Sequence, residues 1–184
     1  LRLKHDIFRK NIREYENQLN YLKSNKFNLV SLNDAYNQFP NTNSLAALRH
    51  DVDINDLFGN KLFFEIEHKI NARSTYYFRL STVNKHLPFI QELLAANFEV
   101  GYHFEEPATY MKRHKIQSLA ELRDKKKIIQ NLITQNINLF EKKINQPIHS
   151  ISSHGDWINR KYKFTNYEFI DNNFLKNNDL KFEA

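Results

Sequence analysis

Leu48-Arg49-His50-Asp51-Val52-Asp53 continues a short apolar run, Leu45-Ala46-Ala47-Leu48, and is followed by Asn55, Asp56 and Gly59. An apolar run of this length reads as a buried strand, and polar residues just past it read as that strand's C-terminal end. In α/β proteins that end faces the ligand crevice. Asp51 and Asp53 are two apart on an extended segment, so their side chains point the same way and can share one site. Two carboxylates held close need a cation beside them or a proton on one of them. A divalent metal answers that need, with one Asp as ligand and the other as base. The bland alternative for an isolated D-x-D is a helix N-cap and a solvated acidic loop. His50 alternates with Asp51 and is expected on the opposite face, as a packing residue.

Outward from this stretch, strands and helices alternate. The spacing of Ile7, Phe8, Ile12, Tyr15, Leu19 and Leu22 predicts an amphipathic helix over 7–26. A short extended piece is expected at 28–31, a short helix from Ser31 to about Phe39-Pro40, and a loop over 40–44. Strand one is expected at 45–49, a helix at 56–69, and strand two at 72–80 with Arg79 near its end. A helix at 84–97 would carry Pro88 in its first turn. Strand three is expected at 98–102, ending at His103, with Glu105-Glu106-Pro107 in a loop. A long helix is predicted at 118–143, strand four at 148–152, a helix at 166–176 and the opening of a fifth strand at 179–183. The alternation is that of a parallel α/β sheet or barrel. A full (β/α)₈ barrel typically takes about 250 residues, and this chain has 184. The expectation is therefore a single domain over 1–184 built as a deformed or incomplete (β/α) barrel, or one truncated at its C-terminus. The chain opens on Leu1 rather than Met.

Composition narrows the classes. Aromatics at 14% and hydrophobic residues at 41% exclude a disordered chain. No apolar stretch approaches the ~20 residues of a membrane span. Leu1-Arg2-Leu3-Lys4-His5-Asp6 has no apolar signal-peptide core, so a cytoplasmic location is expected. With no Cys there is no disulfide, thiolate ligand or Cys nucleophile. The net charge of +6 permits an acidic partner. The Lys and Arg residues are scattered apart from Lys125-Lys126-Lys127, which argues for a solvated surface and against a nucleic-acid module. Only Gly59, Gly101 and Gly155 occur. In so Gly-poor a chain each is expected to mark a tight backbone position, and Gly101 and Gly155 lie beside His103 and His154.

Three polar clusters fall at three predicted strand ends: Arg49 to Asp53, Tyr102 to Glu106, and Ser153-His154-Gly155-Asp156-Trp157. In a parallel sheet these ends share one side. Asp, His and Glu are ligands of a catalytic zinc or similar ion. Taken singly, each cluster has an ordinary structural explanation. Together they point to one site. Trp157, the sole Trp, is either a sugar-stacking face or a core aromatic.

The order of these motifs resembles the polysaccharide deacetylases of the NodB-homology type, carbohydrate esterase family 4. Asp51-Val52-Asp53 is similar to that family's first motif. Glu99-Val100-Gly101-Tyr102-His103 matches its E-[IV]-G-x-H, and Ala72 to Phe78 looks like the strand between the two. R-H-D-V-D, G-Y-H-[FY]-E and S-x-H-G together resemble a branch associated with bacterial surface-polysaccharide gene clusters. The resemblance covers about residue 27 to the C-terminus and implies a deformed (β/α) barrel. It implies Asp51 as catalytic base and Asp53 and His103 as ligands of a divalent metal, zinc being the expected ion. The family's second histidine of this motif falls on Pro107 here. Glu105 or Glu106 replaces it, or His154 supplies the third ligand; Glu105 is the expected choice. The family's late acid-bearing motif has no visible counterpart, so His154 is the expected catalytic acid.

The implied reaction is hydrolysis of an N-acetyl group on a sugar or polysaccharide precursor. Arg79 would bind an acidic sugar group and Trp157 a sugar ring. Two other readings remain: a catalytically inactive glycan-binding or scaffold relative, and a metal-dependent hydrolase of another bond.

Overall fold

The computed structural model describes residues 2–40, 44–53 and 57–184. The side chains of Ile7 and Phe8, the loop residues 41–43 and the polar pair Asn55 and Asp56 lie outside the described residues. In chain order the described elements are α1 (Arg2–Ser24), β1 (Asn28–Val30), α2 (Leu32–Gln38), β2 (Leu45–Ala47), β3 (Arg49–Val52) and α3 (Leu57–Lys69). Then come β4 (Thr75–Phe78), α4 (Val83–Ala95), β5 (Glu99–Phe104), α5 (Glu106–Arg113), α6 (Leu119–Asp124) and α7 (Lys126–Ile144). The chain continues with β6 (Ser150–Ser153), α8 (Trp157–Tyr162), a 3₁₀ turn (Asn166–Phe169), α9 (Asn172–Asn177) and β7 (Phe182–Glu183).

The molecule is a parallel α/β structure. β3, β4, β5, β6 and β7 form a five-stranded sheet in that order, and every neighbouring pair is parallel. β1 and β2 form a separate parallel pair. The single strand expected over 45–49 is thus two strands. Leu48 sits at the switch: its N–H donates to the Val30 carbonyl, and its own carbonyl accepts from Thr75 N–H. Arg49 to Val52 of the acidic motif are therefore β3 itself rather than a loop after a strand, and Asp53 follows directly.

Period-two alternation divides the large sheet into two chemically different faces. One carries Val52, Tyr76, Phe78, Val100, Tyr102, Phe104 and Ile151, all buried in the main core. α3, α4 and α7 cover it. The α7 contribution recurs at helical spacing as Ile129, Ile133, Ile137, Phe140 and Ile144, and each such burial is worth about 1.5–3 kcal/mol. The other face is polar. Glu99 accepts from Ser150 Oγ at 2.9 Å and from the Thr75 hydroxyl, and Tyr77 OH pairs with Ser150 Oγ at 2.7 Å. Higher up the strands this face leads to Arg49, Asp51, His103 and Ser152.

Gly101 is needed on this face for space. A Cβ there would meet the Tyr77 ring at 2.3 Å and the Ser150 carbonyl at 3.0 Å. The ring cannot move aside, because its hydroxyl is tied to Ser150 and Arg49 lies over it. Gly101→Ala should therefore destabilise the fold by about 1–3 kcal/mol, read as a lower urea midpoint at unchanged slope. Gly155 is different: a Cβ there would meet nothing within 4 Å. Left-handed helix ends are taken by Asn71, Asn97 and Asn145 instead of glycine, which is how the chain manages with so few.

Helix boundaries account for the other differences. Glu105-Glu106-Pro107 is not a loop: Pro107 occupies the first turn of α5, where a missing N–H costs nothing. Pro88 lies beyond the first turn, because α4 begins at Val83. The predicted long helix is broken at Lys125, between α6 and α7. The helix expected at 166–176 is the 3₁₀ turn and α9, separated by the N-cap Asp171, whose side chain accepts from Phe174 N–H. On the apolar side, His50 Nε2 meets Glu67 Oε1 at 2.5 Å. Glu67 is fully buried. It also accepts from Ser74 Oγ, Tyr76 OH and Tyr15 OH, so its oxygens are satisfied by protein donors and it ties α1 to the sheet. Among the described residues no helix is long and apolar enough to cross a membrane.

Candidate metal centre

The polar face ends, at the C-terminal edge of the sheet, in Asp53, His103 and His154. Asp53 follows β3, His103 lies in β5, and His154 follows β6. Each strand turns alternate side chains to the same face, and the parallel order brings the three ends together. Asp53 Oδ1 lies 3.1 Å from His103 Nε2 and 3.0 Å from His154 Nδ1. The two imidazole nitrogens are 3.3 Å apart. One donor atom from each residue falls within 4.8 Å of the others.

The donor set fits a divalent cation. Asp53 Oδ1 is buried, has both ring nitrogens at ion-pair distance, and accepts a hydrogen bond from neither. An orphaned buried oxygen between two nitrogens is costly unless something positive lies among them. The His103 ring is oriented by its other nitrogen: Nδ1 faces the Ser152 carbonyl at 3.1 Å, and a proton donated there leaves the Nε2 lone pair turned to Asp53. Burial lowers the His103 pKa, against the opposing pull of Asp51 and Asp53. The neutral ring is the ligating form. Two nitrogens and one carboxylate oxygen make a donor set suited to zinc with a position left open.

Asp51 stands beside the triad on the same face. Arg49 holds it through two hydrogen bonds, Nε to Oδ1 at 2.8 Å and Nη2 to Oδ2 at 2.9 Å. The same Nη2 donates to Ser152 Oγ, and the guanidinium lies 5.2 Å from the Tyr77 ring centroid. A bidentate pair fixes the plane of the carboxylate as well as its position. Arg49 was expected only as part of the first polar cluster, with no role of its own. The signal was present: Arg49, Asp51 and Asp53 follow the same alternation.

Two expectations change. Glu105, expected as a ligand, is not brought to the triad. Both its oxygens accept from Arg79 Nη2 at 2.7 Å, and His154 is the third residue of the donor cluster. His154, expected as catalytic acid, is in turn a member of the donor cluster. Arg79 is spent on Glu105, with a weak contact from Nη1 to the Asp53 carbonyl at 3.5 Å. Trp157 opens α8 and is 54% exposed, over Lys161 rather than in the core. Glu106 is buried away from the triad, where it accepts from Tyr102 OH, Asn136 Nδ2 and Glu105 N–H.

No family model matches the chain, and no curated protein matches it. Among solved structures it is similar to IcaB from Ammonifex degensii, with a TM-score of 0.62 at 12% identity. The likeness covers 94% of this chain and 74% of that one. At this identity it is a likeness of fold alone.

Proposed function

We propose that this chain is a metal-dependent hydrolase that removes N-acetyl groups from a sugar of a bacterial surface polysaccharide, on a deformed NodB-type barrel. The observation that carries the reading is the orphaned Asp53 Oδ1 between two imidazole nitrogens, with a second, Arg-held carboxylate beside it. The fold likeness to IcaB, a polysaccharide deacetylase, supports it.

Asp53, His103 and His154 would hold the cation, with zinc favoured by the donor set. Bound there, the cation would act as a Lewis acid that lowers the pKa of a water and polarises the acetyl carbonyl. Asp51 takes the proton of the attacking water. Arg49 keeps that carboxylate turned toward the reacting centre. With His154 committed to the cation, the proton gained by Asp51 is the one available to the departing amine. Trp157 offers an exposed aromatic face to a sugar ring.

The test is acetate release from N-acetylated sugar oligomers by protein incubated with zinc. Acetate matched by an equal yield of free amine is expected. Stoichiometric zinc with no acetate from any such substrate would end this reading and favour a hydrolase of another bond. Failure to retain any divalent ion would favour the inactive glycan-binding relative.

A further inference from the structure

His154 stands at the start of the loop between β6 and α8, and both of its backbone polar groups are held. Its N–H donates to the Phe104 carbonyl at 2.8 Å, which carries the β5–β6 pairing one residue further. Its carbonyl accepts from Asn166 Nδ2 at 2.6 Å. Gripped on both sides, the residue keeps its Nδ1 at 3.0 Å from Asp53 Oδ1. The second grip comes from a side chain twelve residues on, in the 3₁₀ turn. That turn is itself anchored. Phe164 and Phe169, on either side of Asn166, are buried in the main core, and Thr165 and Glu168 form a capping box. Gln130 of α7 donates to the Phe169 carbonyl at 2.9 Å.

Asn166 is 1% exposed and uses both ends of its amide. Oδ1 accepts from Ala108 N–H at 3.2 Å and from Asn159 Nδ2 at 3.1 Å. Ala108 lies in the first turn of α5, where backbone N–H groups have no partner inside the helix. α5 in turn follows β5 after one residue, Glu105. One buried amide therefore joins the segment that carries His154 to the segment that continues from His103. Only a side chain that donates and accepts at once does this, and a carboxylate does not. The two segments so joined are the ones that set the 3.3 Å separation of the imidazole nitrogens.

We infer that Asn166 is a positioning residue of the metal centre, which rests on the metal-dependent reading above: it sets the place of His154 relative to His103, acting through the His154 carbonyl. Asn166→Asp tests this most narrowly. It keeps an acceptor for Ala108 and Asn159 and turns an oxygen, in place of a donor, on the His154 carbonyl. Asn166→Ala removes both ends and serves if the buried carboxylate prevents folding. Leu93→Ala, a fully buried truncation on α4, is the control for lost stability alone. Folded variants are compared by zinc affinity in competition with a chromophoric chelator, by the visible spectrum of the cobalt-loaded protein, and by the His154 ring signals of the metal-free protein in NMR. In the Asn166 variants zinc affinity should fall about 10–100-fold, the usual effect of losing a partner that orients a ligand. The cobalt spectrum should change and the His154 ring signals should move. Leu93→Ala should match the parent in all three while melting lower. Parental zinc affinity and parental His154 signals in a folded Asn166 variant would overturn the inference, as would an equal loss of affinity in Leu93→Ala. The ring signals need no metal. A parent that bound neither zinc nor cobalt would end the metal-dependent reading, and the His154 signals would still decide whether Asn166 places that ring.

Discussion

Asp53→Ala is expected to take bound zinc from about one equivalent to none and to abolish acetate release with it. Asp53 supplies the formal negative charge of the donor set and stands between the two imidazoles. Without it the cation would rest on two neutral rings. Loss of even an outer-shell partner costs about 10–100-fold in metal affinity, and loss of a directly bonded carboxylate should exceed that. The same substitution makes an opposite prediction for the metal-free fold. Asp53 Oδ1 is a buried acceptor with no donor, and a fully buried orphan costs about 1–3 kcal/mol. The other part of this side chain is exposed, so the relief is smaller, but in chelator the variant should melt no lower than the parent. Plasma mass spectrometry of the purified protein and melting curves with and without chelator read both effects. Full zinc in the variant would remove Asp53 from the centre. A lower melting temperature in chelator would make it a structural residue.

The parallel alternation was legible because its determinants are local. Val100-Gly101-Tyr102-His103 and Ser150-Ile151-Ser152 show one face apolar and one polar, and the order of strands and helices carries the rest. The convergence of Asp53, His103 and His154 was also legible, since parallel strands leave no other side for their ends. The choice between Glu105 and His154 was not. Glu105 follows His103 at the correct two-residue spacing, and only the presence of Arg79 across from it, at the end of β4, holds it away from the Asp53–His103–His154 cluster. Such a choice is set by a neighbouring strand, not by the residue's own segment. The same holds for Leu48. It lies in an unbroken apolar run, and its role as a switch between two sheets depends on Val30 and Thr75 as hydrogen-bond partners. The break at Lys125 has no Gly or Pro to announce it; the bend lies inside a Lys run with good helix propensity. The helical start at Glu106 was hidden inside a stretch read as a loop, in which Pro107 is a first-turn residue.

Asp51→Asn should separate the two carboxylates by function. The substitution preserves shape and leaves an amide oxygen for one of the Arg49 donors, so the local backbone and the triad should stand. Zinc content should remain near one equivalent. The rate should fall by about 10²–10⁴, the usual contribution of a positioned general base, because Asn cannot take the proton of the attacking water. It should fall in kcat with KM little changed, since Asp51 is asked to act on the reacting atoms and not to hold the sugar. Arg49→Lys offers the graded control. Lysine keeps the charge but replaces a bidentate fork by a single point contact, so the carboxylate loses its fixed plane. A loss intermediate between parent and Asp51→Asn is expected, again with zinc retained. If Asp51→Asn instead lost zinc together with activity, the carboxylate would be a ligand, and the base would have to be sought elsewhere on the polar face. If it kept both zinc and rate, the pair with Arg49 would be a structural clasp between β3 and β6, through Ser152, and the proton acceptor would not be this residue.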